Sequence, residues 1–463
     1  MAAMGISRRQ FLSYTGAAFA GLHGLLGGCN SVVPAPSWSA EGYGELVPDA
    51  AGLLDLPAGF SYQVFSRTGD SMDDGLLVPG GHDGMAAFAA PDGRTILVRN
   101  HELTPVQPGA AVFGVRGDLR GGLPAESFYD FGSGATPCLG GTTTLVYNTQ
   151  EQRLERHFLS LAGTIRNCAG GPTPWGSWIS CEETNQRKDA ALERDHGYNF
   201  EVPVSAEIAL APPIPLVGMG RFNHEAIAVH EASGIIYQTE DRDDGLFYRF
   251  VPNEKGRPAA GGRLQALALR DIGSADTRNW SEPTLDRQSP EPVRWIDIRD
   301  VESPGDDLRM QGAAAGAAIF ARGEGAWTDG DAIYFACTSG GAAQSGQVFR
   351  YHVSPDEAQP PENKNPGRLE LFAESPDSRL LEYADNLTVS PWGDVIVCED
   401  GSGRDQIVGI SAKGQFYQLG RNAMNDGEFA GSTFSPDGST LFVNIQNPGM
   451  TFAVTGPWQR RPA

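Results

Sequence analysis

Short apolar runs that begin at a turn and end on a polar residue recur along this chain. Three of them run from a glycine to a glutamate six residues later: Gly176–Glu182, Gly234–Glu240 and Gly393–Glu399. Three related runs are Arg94–Glu102, Ala332–Ser339 and Ser439–Asn447. Apolar runs of this length, bounded by glycine turns, are typical of β-strands. The pattern therefore predicts repeated strand units from Gly93 to Asn447.

Turn signals group these strands into six units. Asp-Gly, Trp-Gly and Ser-Gly dipeptides separate neighbouring strands, as hairpins require. The units are predicted around His82–Glu102, Gly140–Glu183, Phe222–Pro252, Arg322–Tyr351, Asp385–Asp400 and Ser432–Asn447. A repeat of this kind predicts an all-β fold, a six-bladed β-propeller. Long loop insertions are expected to cover the channel face, at Pro105–Leu139, Ser160–Thr173 and Lys255–Met310.

Length and charge narrow the organisation and the partners. A chain of 463 residues suggests about three domains at the usual size, but one continuous repeat favours a single propeller. The predicted division is a signal at 1–28, a tether at 29–45 and a catalytic propeller at 46–463. A net charge of -22 argues against nucleic acid binding, which needs basic surface. A monomer is expected.

The N-terminus carries an export signal. Ser7-Arg8-Arg9-Gln10-Phe11-Leu12 matches the twin-arginine pattern, and a weakly apolar stretch follows it. We therefore expect the twin-arginine export machinery as a partner. Leu26-Gly27-Gly28-Cys29 is close to a lipoprotein cleavage box. Two outcomes stay open: a lipid anchor at Cys29, giving a membrane-anchored lipoprotein, or ordinary cleavage, giving a periplasmic protein.

Carboxylates at several strand ends, directed at one axis, predict a metal site there, because such a cluster is costly without a cation. The repeat register favours Glu240 over Asp241, Asp243 and Asp244, and Glu399 over Asp400. Further candidates near strand starts or ends are Asn100, Glu102, Glu182, Glu225, Asp385 and Asn386. Histidines are expected beside such an oxygen-rich site rather than as its ligands.

Three stretches together resemble the PhoX-type alkaline phosphatases. They are Asn167–Glu183 (NCAGGPTPWGSWISCEE when read as written), Gly220–Ala226 and Gly245–Pro252. The resemblance implies an exported phosphatase on a six-bladed propeller with iron and calcium at its axis. It also implies a Cys-Glu pair at Cys181 and Glu182, with the Cys181 thiolate binding iron. Burial in the core or a disulfide is the alternative for Cys181.

The segment from Ala321 to Glu324 is similar to the family's Asp-Arg-Pro-Glu motif. The resemblance implies that Arg322 grips the substrate phosphate and that Glu324 binds metal, while the motif's aspartate and proline are replaced here. A salt bridge to Glu324 is the alternative role for Arg322. The predicted metal ligands are Cys181, Glu182, Glu102, Glu225, Glu240, Glu324, Asp385 and Glu399, and the predicted catalytic residues are Arg322, Asn100 and Asn386.

The predicted function is metal-dependent hydrolysis of small-molecule phosphate monoesters, with Fe³⁺ and Ca²⁺ as cofactors. The chain has neither a phosphate-binding loop ending in Gly-Lys-Ser/Thr nor a Gly-x-Ser-x-Gly nucleophile turn. Two alternatives stay open. One is a calcium-dependent lactonase or esterase, and the other is a non-catalytic binding propeller stabilised by metal.

Overall fold

The computed structural model describes residues 37–105, 107, 112–114, 119, 123–133 and 138–458. Apart from Ser37, these belong to one compact unit that begins at Trp38. The predictions for the signal segment and for Cys29 lie outside the described residues. Among the residues described, no helix has the length and apolar character needed to cross a membrane.

Strands dominate the described chain. The first thirteen are β1 (Leu46–Val47), β2 (Leu54–Pro57), β3 (Ser61–Arg67), β4 (His82–Ala89), β5 (Arg94–His101), β6 (Gly140–Asn148), β7 (Arg153–Thr164), β8 (Asn167–Pro172), β9 (Ser177–Glu182), β10 (Asn199–Pro203), β11 (His224–Val229), β12 (Ile236–Glu240) and β13 (Phe247–Pro252). The others are β14 (Gly262–Leu269), β15 (Glu291–Asp297), β16 (Gly323–Asp329), β17 (Ala332–Cys337), β18 (Gln347–His352), β19 (Arg368–Glu374), β20 (Ala384–Val389), β21 (Val395–Glu399), β22 (Gln406–Ile410), β23 (Phe416–Asn422), β24 (Phe429–Phe434), β25 (Thr440–Ile445) and β26 (Met450–Thr455).

Helical structure in the described residues is short. One α-helix spans Leu308–Ala314. The 3₁₀ turns are Pro91–Gly93, Ala125–Ser127, Val217–Met219, Pro258–Ala260 and Pro360–Asn363.

The strands form five antiparallel sheets in a propeller-like arrangement. Three are β4-β5-β6-β7, β8-β9-β10 and β24-β25-β26-β3. A fourth is β20-β21-β22-β23, extended by β2 and β1. The largest has nine strands, in which the meanders β11 to β14 and β16 to β19 are joined through β15. The fold is therefore all-β, as predicted.

Six strands line a common axis. They are β4, β8, β11, β16, β20 and β24, and each contacts the next until β24 contacts β4 again. Each is the edge strand of a meander that runs outward from the axis. The loop that precedes each strand therefore comes to the same end of the ring, where the candidate site lies.

Strand pairing changes the predicted start of the second unit and the description of two predicted insertions. Gly140–Asn148 pairs with β5 along its whole length, so it is the third strand of the first sheet rather than the start of the second unit. Ser160–Thr173 consists mostly of β7 and β8, and Lys255–Met310 contains β14 and β15. Ser160–Thr173 is therefore largely sheet, whereas Lys255–Met310 combines its two strands with longer stretches outside any strand. Long glycine-rich or polar stretches concealed the strands.

An N-terminal strand completes the last sheet. β3 pairs with β26 from Met450↔Arg67 to Thr455↔Ser61. Phe452 of β26 is fully buried, and its ring meets that of Tyr62 edge-on, with 5.6 Å between centroids. This pairing joins the two ends of the described chain and completes a sheet of the ring.

We expect Phe452→Ala to lower the free energy of unfolding by about 3–5 kcal/mol, because it removes a large buried side chain at this junction. Chemical denaturation would measure the loss. The control is Gln63→Ala on the exposed side of β3, with an expected change within about 0.5 kcal/mol. Equal effects of the two substitutions would contradict this role for the junction.

Candidate metal centre

One backbone hydrogen bond recurs where each inner strand begins. The carbonyl of the residue just before the strand accepts an N–H from the residue just after the second strand of the same meander. We call the acceptor the mouth residue. The pairs are Gly81 with Glu102, Arg166 with Glu183, Asn223 with Asp241, Arg322 with Thr338, Tyr383 with Asp400 and Glu428 with Gln446. The bond draws two side chains from each meander to one end of the axis.

The second residue of each inner strand adds a third side chain. These residues are Asp83, Cys168, Glu225, Glu324, Asp385 and Ala430. In the first five strands a β-bulge begins immediately after the strand's first residue. A bulge inserts an extra residue and re-aims the side chains beside it. In β24 the shift comes one residue later, and Ala430 carries no metal-binding group.

Nine side chains form one linked group of candidate ligands, which we call the axial cluster. Their donor atoms lie within 4.8 Å of one another in overlapping sets: Asp83 with Glu102 and Cys168; Cys168 with Glu183 and Glu225; Glu225 with Glu324 and Asp385; and Asp385 with Asp400 and Glu428. The cluster thus offers eight carboxylates and one thiol.

The electrostatics of the cluster favour a bound cation. Burial and the neighbouring Glu102 raise the pKa of Asp83 well above its ordinary value. Burial, with Asp83 and Glu225, does the same to the pKa of the Cys168 thiol. Burial and Asp400 raise the pKa of Glu428. A bound cation would stabilise the deprotonated form of all these groups. Carboxylate oxygens suit calcium and ferric iron, and a thiolate suits iron, so the donor set fits both metals.

Two arginines lie at mouth positions beside the cluster. Arg322 donates from Nε and Nη2 to the two carboxylate oxygens of Asp241, at 2.8 and 3.1 Å, and from Nη2 to Glu324 at 3.0 Å. Arg166 donates from Nη2 to Glu102 at 2.8 Å and to Glu183, and from Nε to the Glu183 carbonyl. The salt bridge to Glu324, which was the alternative role for Arg322, is therefore present.

The structure brings four predicted metal ligands into the cluster: Glu102, Glu225, Glu324 and Asp385. It places Glu182, Glu240 and Glu399 elsewhere. Each of these is the last residue of a second strand and faces away from the side chain that follows it. Their places at the axis fall to the next residues along, Glu183, Asp241 and Asp400, although Asp241 contacts Arg322 rather than joining the donor sets.

The three displaced glutamates share a structural role. Each accepts an N–H at the start of the third strand, from Tyr198 for Glu182, Leu246 for Glu240 and Gln406 for Glu399. Burial raises the pKa of Glu240 to about 7 and that of Glu399 to about 8. These glutamates hold loops in place and are not candidate ligands in this structure.

Cys181 is likewise not in the cluster. Its thiol is fully buried among apolar side chains that include Ile179, Leu216 and Ile227. Burial alone raises its pKa, whereas nearby carboxylates also act on Cys168. Cys168 lies in the inner strand β8, whereas Cys181 lies in β9, the second strand of the same meander. The structure thus places Cys168, and not the predicted Cys181, in the axial cluster.

The two asparagines predicted to be catalytic have structural contacts. Asn100 is fully buried and donates to the carbonyls of Cys168 and Ala169, at 3.2 and 2.6 Å. It thus positions the backbone that carries the cluster thiol. The Asn386 side-chain oxygen accepts the Gly431 N–H at 3.1 Å. Asn386 lines a small cavity together with residues of other inner strands, among them Ala169, Ala226 and Gly325.

Sequence reasoning missed five members of the axial cluster: Asp83, Cys168, Glu183, Asp400 and Glu428. Asp83 follows the buried His82 at a strand start, in the position that Glu225 occupies after His224. This His-acid pair was the available signal for Asp83. Glu428 precedes its strand and belongs to none of the predicted repeats, so nothing in the pattern pointed to it.

A buried histidine lies between two carboxylates next to the cluster. His196 lies between Glu182, 2.7 Å from Nδ1, and Asp130, 3.2 Å from Nε2. Burial opposes its charged form, but Glu182 and Asp130 raise the pKa of His196 to about 12. Glu182 precedes the cluster member Glu183, so this imidazolium helps fix the end of β9.

We expect His196→Gln to destabilise the protein by about 3–5 kcal/mol near pH 6, because it leaves two buried carboxylates without their cation. The folded chain keeps the His196 proton up to about pH 12, whereas the unfolded chain releases it near 6.5. The stabilisation is therefore complete below pH 6.5 and is lost as the pH rises toward 12, by at most about 1.4 kcal/mol per pH unit.

Urea unfolding between about pH 6 and pH 10 would measure the difference in free energy of unfolding between wild type and variant, which should shrink as the pH rises. The control is His157→Gln. Because burial lowers the pKa of His157, the difference in free energy of unfolding between wild type and this variant should stay constant above pH 6.5. A constant difference for His196→Gln as well would mean that His196 is neutral in the folded chain.

A family model matches most of this chain. The family is described as alkaline phosphatase PhoX, and the match covers residues 41–115 and 139–449. None of the curated proteins compared with the chain matches it.

Two solved structures are similar to this chain to different degrees. Pseudomonas fluorescens PhoX, in complex with vanadate as a transition state analogue, superposes with a TM-score of 0.65 and 18% identity, covering 90% of this chain and 98% of that one. XC5397 from Xanthomonas campestris, a gluconolactonase, gives a TM-score of 0.35 and 13% identity, covering 90% and 99%. The second score is too low to carry an argument, and the first shows the fold.

Proposed function

The chain belongs to the alkaline phosphatase PhoX family, and from this premise we propose that it hydrolyses phosphate monoesters at the axial cluster. The observation that carries the proposal is the Cys168 thiol placed among eight carboxylates, with Arg322 at the mouth beside them. Such a donor set suits cations of high charge, and the arginine suits an anionic substrate.

We propose Fe³⁺ and Ca²⁺ as the cations. Cys168, Glu183 and Glu225 would hold iron, because this is the part of the cluster that offers a thiolate. Asp385, Asp400 and Glu428 would hold calcium, which prefers oxygen ligands alone. When bound, these metals would supply positive charge to the phosphoryl oxygens and activate water for attack on phosphorus.

The chain's own residues would bind and orient the phosphoryl group. Arg322 would contact its non-bridging oxygens, and Asp241 holds the guanidinium in place through two hydrogen bonds. Asp241 comes from another meander, so it supplies a carboxylate partner for this arginine although Ala321 replaces the motif's aspartate. Asn100 would keep the Cys168 backbone fixed through its bonds to two carbonyls.

The thiol disfavours the calcium-dependent lactonase or esterase, which needs one calcium and no thiolate. A non-catalytic binding propeller would keep metal for stability alone, so removal of metal would lower its melting temperature without abolishing a reaction. Further proposals are a six-bladed propeller, export by the twin-arginine route to the periplasm, a lipid anchor at Cys29 and a monomeric state. The closed ring of six inner strands supports the first of these.

We expect Cys168→Ala to remove iron and to lower kcat/KM for aryl phosphates by at least about 100-fold, because it deletes the one thiol of the donor set. Elemental analysis of protein purified without chelator, together with phosphatase assays, would measure both effects. Cys181→Ala is the matched control, since Cys181 is equally buried but packs among apolar side chains.

Iron retained in Cys168→Ala and lost in Cys181→Ala would reverse the assignment of the thiol. Calcium without iron in the wild type, with lactone opening and no phosphatase activity, would replace the proposal by the lactonase.

A further inference from the structure

We propose that Arg166 is a second phosphate-binding residue, which forms a clamp with Arg322 on one side of the mouth. This inference rests on the proposed function. It adds a residue that neither the repeat pattern nor the resemblance in sequence had singled out.

Arg166 and Arg322 occupy the same position in two meanders. Each immediately precedes an inner strand, and a cluster member, Cys168 or Glu324, follows two residues later. Both backbones are left-handed, with φ of 49° and 58°, a conformation that is uncommon for residues other than glycine. The equivalence is therefore one of backbone shape as well as of sequence position.

The backbone hydrogen bonds of the two arginines also correspond. The Arg166 N–H donates to the Leu103 carbonyl at 3.0 Å, and the Arg322 N–H donates to the Arg242 carbonyl at 2.9 Å. Each acceptor lies just beyond the mouth-facing residue of the preceding meander, Glu102 or Asp241. Each arginine is thus anchored by its own meander and by the one before it.

The side chains are each held by acidic residues of two neighbouring meanders. Both guanidinium groups use Nε and Nη2 to bind the backbone or side chain of a mouth-facing acidic residue, Glu183 or Asp241. Both also bridge through Nη2 to a second carboxylate of the cluster, Glu102 or Glu324. Arg166 and Arg322 are 26% and 18% exposed, so both are fixed yet accessible at the mouth.

The two arginines flank one intervening position, Asn223. Its side-chain nitrogen donates to Glu183 and to the Asp241 carbonyl, both at 3.2 Å. A continuous arc of contacts therefore runs from Arg166 to Arg322, past the inner strand that carries Glu225. The other three mouth residues, Gly81, Tyr383 and Glu428, provide no cation.

This one-sided distribution indicates where a phosphoryl group binds. A phosphate monoester carries up to two negative charges on three non-bridging oxygens, more than one guanidinium contacts in a bidentate pair. A second arginine on the same arc can contact the remaining oxygen, and it balances carboxylates that would repel the substrate. Arg166 is the residue in the described chain that occupies this matching position.

We expect Arg166→Lys to weaken binding of inorganic phosphate by about 10- to 100-fold, because lysine keeps the charge but loses the fork of N–H donors. Competitive inhibition by inorganic phosphate during aryl phosphate hydrolysis would give the inhibition constant of phosphate for the metal-loaded molecules. Arg322→Lys is the positive comparison. Arg350→Lys is the matched control, since Arg350 is 25% exposed and pairs with a buried Glu370 far along an outer strand, and its constant should change by less than about twofold.

The outcomes separate this inference from the function on which it rests. A normal phosphate constant in Arg166→Lys beside a weakened one in Arg322→Lys would overturn the clamp and leave the phosphatase standing. If Arg166→Lys loses metal, an unchanged constant in the remaining loaded molecules would show a structural role and overturn the clamp, whereas a weakened one supports it. Failure of the wild type to bind phosphate or to hydrolyse any ester would overturn both.

Discussion

The hydrogen bond between each mouth residue and the residue after the second strand is the constraint on which the rest of the site depends. It is a backbone bond, so it imposes no choice of side chain on either partner. It nevertheless delivers two side chains of each meander to the same end of the axis, and the bulge beside it turns a third toward them. The ring therefore offers a set of positions that substitution can fill without disturbing the strands.

Filling those positions with carboxylates opposes folding, since buried like charges repel and lose their hydration. The raised pKa values of Asp83, Cys168 and Glu428 express that cost. Bound cations would remove it, and the two mouth arginines offset part of it already by pairing with Glu102, Glu183, Asp241 and Glu324. The same buried charges therefore affect both the stability of the fold and the candidate site, and the arginines that offset them come from two different meanders.

Sequence reasoning predicted the all-β fold because glycine turns and apolar runs are local signals. It pointed to strand ends that meet at one end of the axis, but at three of them the side chain directed there belongs to the next residue, since side chains alternate and a shift of one residue exchanges the two faces. Glu183 rather than Glu182, and Asp400 rather than Glu399, lie in the axial cluster for this reason. The presence of Cys168 rather than Cys181 in the cluster has another cause. Both lie within the stretch that resembles the family, and the contacts of β8 with β4 and β11 show that β8 is the strand that lines the axis.

The glutamates that recur six residues after a glycine stabilise the fold of their meanders. Glu182, Glu240 and Glu399 each accept an N–H where the third strand begins, a need that arises afresh in each meander. The side chains at the axis do not share this requirement of every meander. The axial positions accordingly vary from a thiol to carboxylates to an alanine, and the mouth positions from glycine to arginine to glutamate. In a ring of similar units, the residues that repeat are those that every unit needs to fold. The positions that differ between units are those where we look for a functional site.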